Sequence, residues 1–198
     1  MTDASEIFAR LKQDHDQHRE LLDKLLETSG DSSERVTLFE ELTKELKSHA
    51  AAEEQALYST MLRKPPTTGE TRHSVAEHHE IEEALNDLAA TDMSEGGWLT
   101  KFKNFDHQYR HHINEEEEDH FPDFEQYLDD DDMKHMEKVF ERRKREEMAE
   151  AEITPITHRA CPAKTECVVS SARARSRRSG SSRSGARRTH RARCRCRT

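Results

Sequence analysis

The chain has 198 residues, 32% of them hydrophobic and 37% charged, with thirteen histidines and a net charge of −9. So lean an apolar share excludes a large layered core, but it suits one helical domain with a narrow apolar seam and an appendage. No run of eighteen apolar residues occurs, so no membrane-spanning helix is expected, and MTDASEIFARLKQDH lacks the apolar stretch of an export signal.

The first predicted helix carries the stripe Phe8, Leu11, His15, His18, Leu22, Leu25, in alternating steps of three and four. Such spacing turns one helix face to a core. Ser29-Gly30-Asp31-Ser32-Ser33 ends it. The second helix runs Phe39, Leu42, Leu46, His49, Glu53, Ala56 and stops before Pro65-Pro66-Thr67-Thr68-Gly69. The third runs Val75, His78, then Glu82 or Ile81, Leu85, Leu88, and Ser94-Glu95-Gly96-Gly97 closes it. The fourth runs Trp98, Phe102, Phe105, Tyr109, His112, Glu116. A fifth segment, about 131–150, is helical and mostly charged, with Asp129–Asp132 as its solvated, dipole-favoured start. Short loops between long amphipathic helices predict an all-α, up-down-up-down antiparallel four-helix bundle with an extra C-terminal helix.

The end of the chain is a different material. Residues 1–158 hold 19 Lys and Arg against 40 Asp and Glu, a net of −21, whereas residues 159–198 hold 13 against one, a net of +12. All four cysteines (Cys161, Cys167, Cys194, Cys196) lie there, so the acidic body offers no thiol to a metal, and a reducing, cytoplasmic setting fits. The expected division is therefore a bundle domain over 1–152 and a disordered Arg/Ser-rich basic tail over 153–198. Such a tail can meet nucleic acid through phosphates, without sequence preference. Its composition equally matches what a shifted reading frame in GC-rich DNA would encode.

Each of the four stripes is apolar except in its middle, where it turns to His or Glu. A buried charge without a partner costs on the order of several kcal/mol. Four helices doing this together point to groups that compensate one another through a shared cation. The sequence also overlays itself at a shift of 63: His15 falls on His78, His49 on His112, Glu53 on Glu116, Glu54 on Glu117 and Tyr58 on Phe121. Each half supplies one His on its first helix and a His-x-x-x-Glu on its second. Residues at i and i+4 share a helix face, so each half offers a half-site, and two halves give a dinuclear centre. Imidazole nitrogen with carboxylate oxygen and no sulfur suits non-haem iron, with manganese or zinc as competitors. Most of the other acids are expected in solvent. His18 is expected in the core or beside the ligands, and His79, His107, His111 and His120 at the surface or beside them. Glu117-Glu118-Asp119-His120 has no repeat partner as a Glu-x-x-His unit and is discounted as a ligand pair.

The stretches DHDQH, HAAAEEQALY, EHHEIEEAL and HHINEEEEDHFP, in that order over about residues 5–130, resemble the hemerythrin-like (HHE cation-binding) domains. The resemblance implies a four-helix bundle with a non-haem di-iron site, which in some members binds dioxygen reversibly. Carried over by position, the implied ligands are His15, His49, Glu53, His78, His112 and Glu116. The family often places a further ligand one turn after the third-helix histidine, and there this chain has Glu82 instead of the histidine of the oxygen carriers. An added carboxylate would favour higher oxidation states. The expected function is binding of a small ligand (dioxygen, nitric oxide or peroxide) at the dinuclear centre. The alternatives are a peroxide-consuming or iron-oxidising enzyme, or a regulatory module whose basic tail contacts nucleic acid.

Overall fold

A computed structural model describes the backbone of residues 6–153 and the side chains of residues 6–150. The tail expected over 153–198 lies, apart from the backbone of Ile153, outside the described residues. Among the described residues there are five long helices: α1 (Glu6–Glu27), α2 (Ser33–Glu53), α3 (Thr68–Ala90), α4 (Gly96–Glu115) and α5 (Asp130–Ile153). α2 continues through a π-helical turn, Glu54–Tyr58, into Ser59–Met61, and α4 continues through another, Glu116–His120, into Phe121–Glu125. No described helix is long and apolar enough to cross a membrane.

The breaks fall at the predicted punctuation. Gly30 takes φ 62°, a left-handed conformation that closes α1 with no side-chain cost. Ser32 then caps α2, its Oγ accepting from the Arg35 amide at 3.2 Å. Asp129 caps α5 in the same way, taking the amides of Asp131 and Asp132 at 3.0 and 2.8 Å. Arg35 is buried, donates to Thr28 and to the Met93 carbonyl, and lies 4.8 Å over the Trp98 ring. It thereby ties the α1–α2 connection to the α3–α4 connection.

Two apolar layers form. One gathers Leu22, Leu25, Phe39, Leu42, Leu85, Leu88, Trp98, Phe102 and Phe105 from α1 to α4. The other gathers Phe8, Leu11, Leu57, Met61, Phe121 and Phe124, completed by Met133, Met136 and Phe140 of α5. Burying side chains of this size contributes roughly 1.5–3 kcal/mol each, so these layers supply the main drive for the bundle. α5 packs on α1, α2 and the π turn that follows α2. Its charge count hid a stripe: Met133, Met136, Phe140 and the Lys144 stem recur at helical spacing and are buried. Between the two layers, in the middle of the helices, lie the buried histidines and glutamates.

Candidate metal centre

Six of the seven predicted site residues converge. His15 comes from α1, His49 and Glu53 from α2, His78 from α3, His112 from the end of α4 and Glu116 from the first position of the π-helical turn that follows it. All six are buried, and none is more than 6% exposed. The i, i+4 spacing brings His49 Nε2 to 3.4 Å from Glu53 Oε2, and His112 Nε2 to 3.3 Å from Glu116 Oε1. Each carboxylate also reaches across to the other half of the repeat. Glu53 Oε2 lies 3.5 Å from His78 Nε2, and Glu116 Oε2 lies 3.4 Å from His15 Nε2. On one side His15 Nε2 and His49 Nε2 are 3.2 Å apart. On the other, His78, His112 and Glu116 each offer one ligand atom within 4.8 Å of the others.

The outer nitrogen of every one of these rings is held by an acid. His15 Nδ1 lies 2.8 Å from Glu117, His49 Nδ1 3.0 Å from Asp14, His78 Nδ1 3.0 Å from Glu54 and His112 Nδ1 2.9 Å from Glu77. A carboxylate at Nδ1 keeps the proton there and turns the Nε2 lone pair inward, the arrangement that orients imidazoles on metals. None of these four acids is among the residues that the sequence predicts for the centre. The shift of 63 would have found them, since it lays Asp14 on Glu77 and Glu54 on Glu117.

The π-helical turns begin at the residue after Glu53 and at Glu116 itself. Such a turn widens the helix where function needs an altered side-chain direction. Here the first one brings Ala56, Leu57 and Tyr58 inside together. Tyr58 donates its hydroxyl to Glu116 Oε1. Its repeat mate, Phe121, has no such group.

Glu82 stands apart. Its side chain is 54% exposed and faces Lys47 at 3.4 Å, so the structure does not bring it together with the other six. Ile81 takes the core position at that turn. Glu82 lies on the rim of a groove of about 510 Å³ whose lining includes Leu46, Ala50, Val75, Leu85 and the edge of His78. Of the other histidines, His18 is fully buried, with Nδ1 2.7 Å from the Tyr109 hydroxyl and no partner for Nε2. His79, His107 and His111 are exposed, whereas His120 is buried against Ser74.

The electrostatics of the centre call for positive charge. Burial alone would push His49 down, but Asp14 and Glu53 outweigh it and raise its pKa to about 9. Burial is likewise outweighed at His78, where Glu53 and Glu54 raise the pKa to about 10. Burial would raise Glu53 and Asp14, yet the imidazoles and, for Asp14, Arg10 and Lys144 hold both far below the usual carboxylate range. His18 is held neutral by burial and by its neighbours His49 and His15. Both oxygens of Glu53 and Oε2 of Glu116 are buried without a hydrogen-bond partner. Inward lone pairs and unpartnered carboxylate oxygens 3.2–3.5 Å apart match donors that share an ion at about 2.0–2.2 Å. The residues therefore fit a bound cation.

A family model for the hemerythrin HHE cation binding domain matches residues 6–124, more than half of the chain. No match was found among curated proteins. Among solved structures, the chain is similar to a hemerythrin HHE cation binding domain-containing protein from Mycobacterium kansasii, at 27% identity and a TM-score of 0.66. The similarity covers 77% of this chain and 91% of that one. With six buried donors on four helices of the matched segment, the chain belongs to the hemerythrin HHE cation-binding domain family.

Proposed function

We propose that the protein is a non-haem di-iron protein of up-down-up-down topology that binds a small ligand, dioxygen, nitric oxide or peroxide, in the cytoplasm. One observation carries this reading. Each of two carboxylates, Glu53 and Glu116, lies between a histidine of one half-repeat and a histidine of the other. With these carboxylates, His15 and His49 would hold one ion and His78 and His112 a second. Manganese or zinc could use the same donors. When bound, iron would supply redox electrons and open positions for the small ligand. The protein supplies orientation through the four Nδ1 contacts and a water-poor setting through the two apolar layers. Anaerobic titration with ferrous iron, followed by optical spectra on adding oxygen, tests the reading. Saturation near two equivalents is expected, and saturation at one or none would reject the dinuclear centre.

A peroxide-consuming or iron-oxidising enzyme is the second reading. The position of Glu82 withdraws one argument for it. The buried Tyr58 hydroxyl on Glu116 and the His18–Tyr109 pair beside His15 and His49 supply another, since they hold protons inside the site. Peroxide turnover by the iron-loaded protein separates this reading from simple binding. A regulatory role through the basic tail is a third, tested by deleting residues 153–198 and measuring nucleic-acid binding.

A further inference from the structure

The two halves of the centre match in their ligands and in the acids behind them, but not in the charges behind those acids. Asp14, behind His49, receives Arg10 and, at 2.5 Å, Lys144 of α5. Glu117, behind His15, receives Arg19 at 3.0 Å. In the other half, Glu54 behind His78 is 44% exposed and pairs with no lysine or arginine among the described residues; Lys47 and Arg143, which line the groove beside it, are partly exposed and face other acids, Glu82 and Glu147. Glu77 behind His112 meets its ligand histidine and His73 at 3.5 Å, with the exposed His111 nearby, but no lysine or arginine among the described residues. Acids do offset the first set: Lys144 also faces Glu45 at 3.1 Å, and Arg10 faces Glu141 at 2.7 Å. Glu141 is half exposed, however, and screened by water. The Tyr58 hydroxyl on Glu116 Oε1 works the opposite way, by weakening an oxygen near His112. It is one neutral hydrogen bond against three formal charges.

From this asymmetry we infer that the two metal positions are unequal by construction, and that the position beside His78 and His112 fills first. The inference rests on the dinuclear reading above. Two effects act in the same direction. A carboxylate already engaged by Arg or Lys draws less on the imidazole proton, so the imidazole is a poorer donor. The cations also repel a divalent ion through space, with little screening at buried sites. Lys144 lies beyond the segment that matches the family model, so part of this bias comes from α5.

The test is anaerobic titration of metal-free, full-length protein with cobalt(II), read by its absorption and by calorimetry. Wild type should take two equivalents in two steps whose dissociation constants differ by roughly tenfold or more. The triple variant Arg10→Gln, Arg19→Gln, Lys144→Met should tighten the second step by about tenfold and move the first much less. Glu77→Gln should instead weaken the first step, by about 10- to 100-fold. If the triple variant does not fold by circular dichroism, Arg19→Gln alone, a partly exposed change, should still tighten only the second step. Two equal steps in wild type, or variants that leave both constants unchanged, overturn the inference while the dinuclear reading stands. Uptake of a single equivalent overturns both.

Discussion

A fifth helix packs mainly on the first half of the 63-residue repeat. α5 packs on α1, α2 and the turn that follows α2, and completes the apolar layer beside them with Met133, Met136 and Phe140. At the corresponding turns of α3 stand the buried polar residues Thr71 and Ser74, and a groove opens beside His78. The ligands nevertheless correspond one to one. What differs lies around them: Tyr58 against Phe121, His18 against Ile81, Arg19 against Glu82. The contrast teaches which positions the shared chemistry holds. A side chain that offers a donor atom to the centre, or a carboxylate that grips one of its rings, has a mate of the same chemical type. A side chain one step further out answers to its own packing.

The largest effect should come from breaking the buttress. Phe140 is fully buried in α5, with its ring 5.8 Å from that of His49. Phe140→Ala should cost about 3–5 kcal/mol, the usual range for a large core truncation. Urea unfolding with and without metal measures it. A loss below about 1 kcal/mol would mean that α5 is an appendage to the bundle.

Removing a bridging acid comes next, and here the halves should behave alike. Glu53→Ala and Glu116→Ala should each lose most of the metal-dependent rise in melting temperature. In wild type that rise reflects about 2.7 kcal/mol when the metal is at 100 times its dissociation constant. Unequal losses would show that one acid serves a single ion. The same melts carry a pH signature. His49 and His78 have folded-state pKa values raised to about 9 and about 10, above the ordinary histidine value. Their stabilising protons are fully present below about pH 6.5 and are lost as pH rises through those raised values. Glu53 and Asp14 are depressed, so they stabilise above their ordinary range and lose that contribution only in acid. The metal-free protein should therefore weaken from about pH 6.5 upward, while metal, which competes with these protons, stabilises more. Melting curves with chelator and with cobalt(II) should diverge as pH rises. Parallel curves would show that neither imidazole exchanges its proton for the ion.

The outer acids sharpen the comparison at a smaller scale. Asp14→Asn and Glu77→Gln should each weaken metal binding by about 10- to 100-fold, as loss of an orienting carboxylate commonly does. Asp14→Asn should also strand Lys144, which is buried against it, and so should destabilise the metal-free protein more than Glu77→Gln. Chelator-competition titrations and thermal melts of the two variants check both statements. Equal destabilisation would show that Glu45 alone satisfies Lys144.

Much of this was legible in the sequence because two periodicities coincide. The steps of three and four located the helices, and the shift of 63 located the six donors within them. The outer acids were hidden because an exposed acid and an acid that grips an imidazole look the same in a stripe. The pairing of Asp14 with Glu77 and of Glu54 with Glu117 at the shift of 63 is the signal that sets them apart. α5 was undervalued for a related reason: Met133, Met136 and Phe140 are sparse among charges, and the Lys144 stem that extends their face reads as polar. The π-helical turns left no sequence signal that periodicity could read.

Glu82 should give the smallest effect, and it tests how far the repeat can be trusted. One turn after His78, it invites assignment to the centre by its distance along α3 alone. The repeat gives a different answer, because the mate of Glu82 is Arg19, a partly exposed residue that grips Glu117. In the structure Glu82 likewise points outward, to Lys47 at 3.4 Å, with both side chains substantially exposed. An ion pair of this kind is worth about 0–1 kcal/mol. Glu82→Ala should therefore shift the melting temperature by no more than about 4 °C. Glu82→His should leave ferrous-iron uptake at the wild-type level and leave the rate of oxidation in air unchanged. Stopped-flow spectra of the two iron-loaded proteins, mixed with oxygen at equal loading, are the measurement. A slower decay in Glu82→His would mean that α3 turns on its axis when metal binds and carries residue 82 inward. The groove beside His78 would then close as the site fills, and the equivalence of the two halves would hold only for the protein before it takes up its ions.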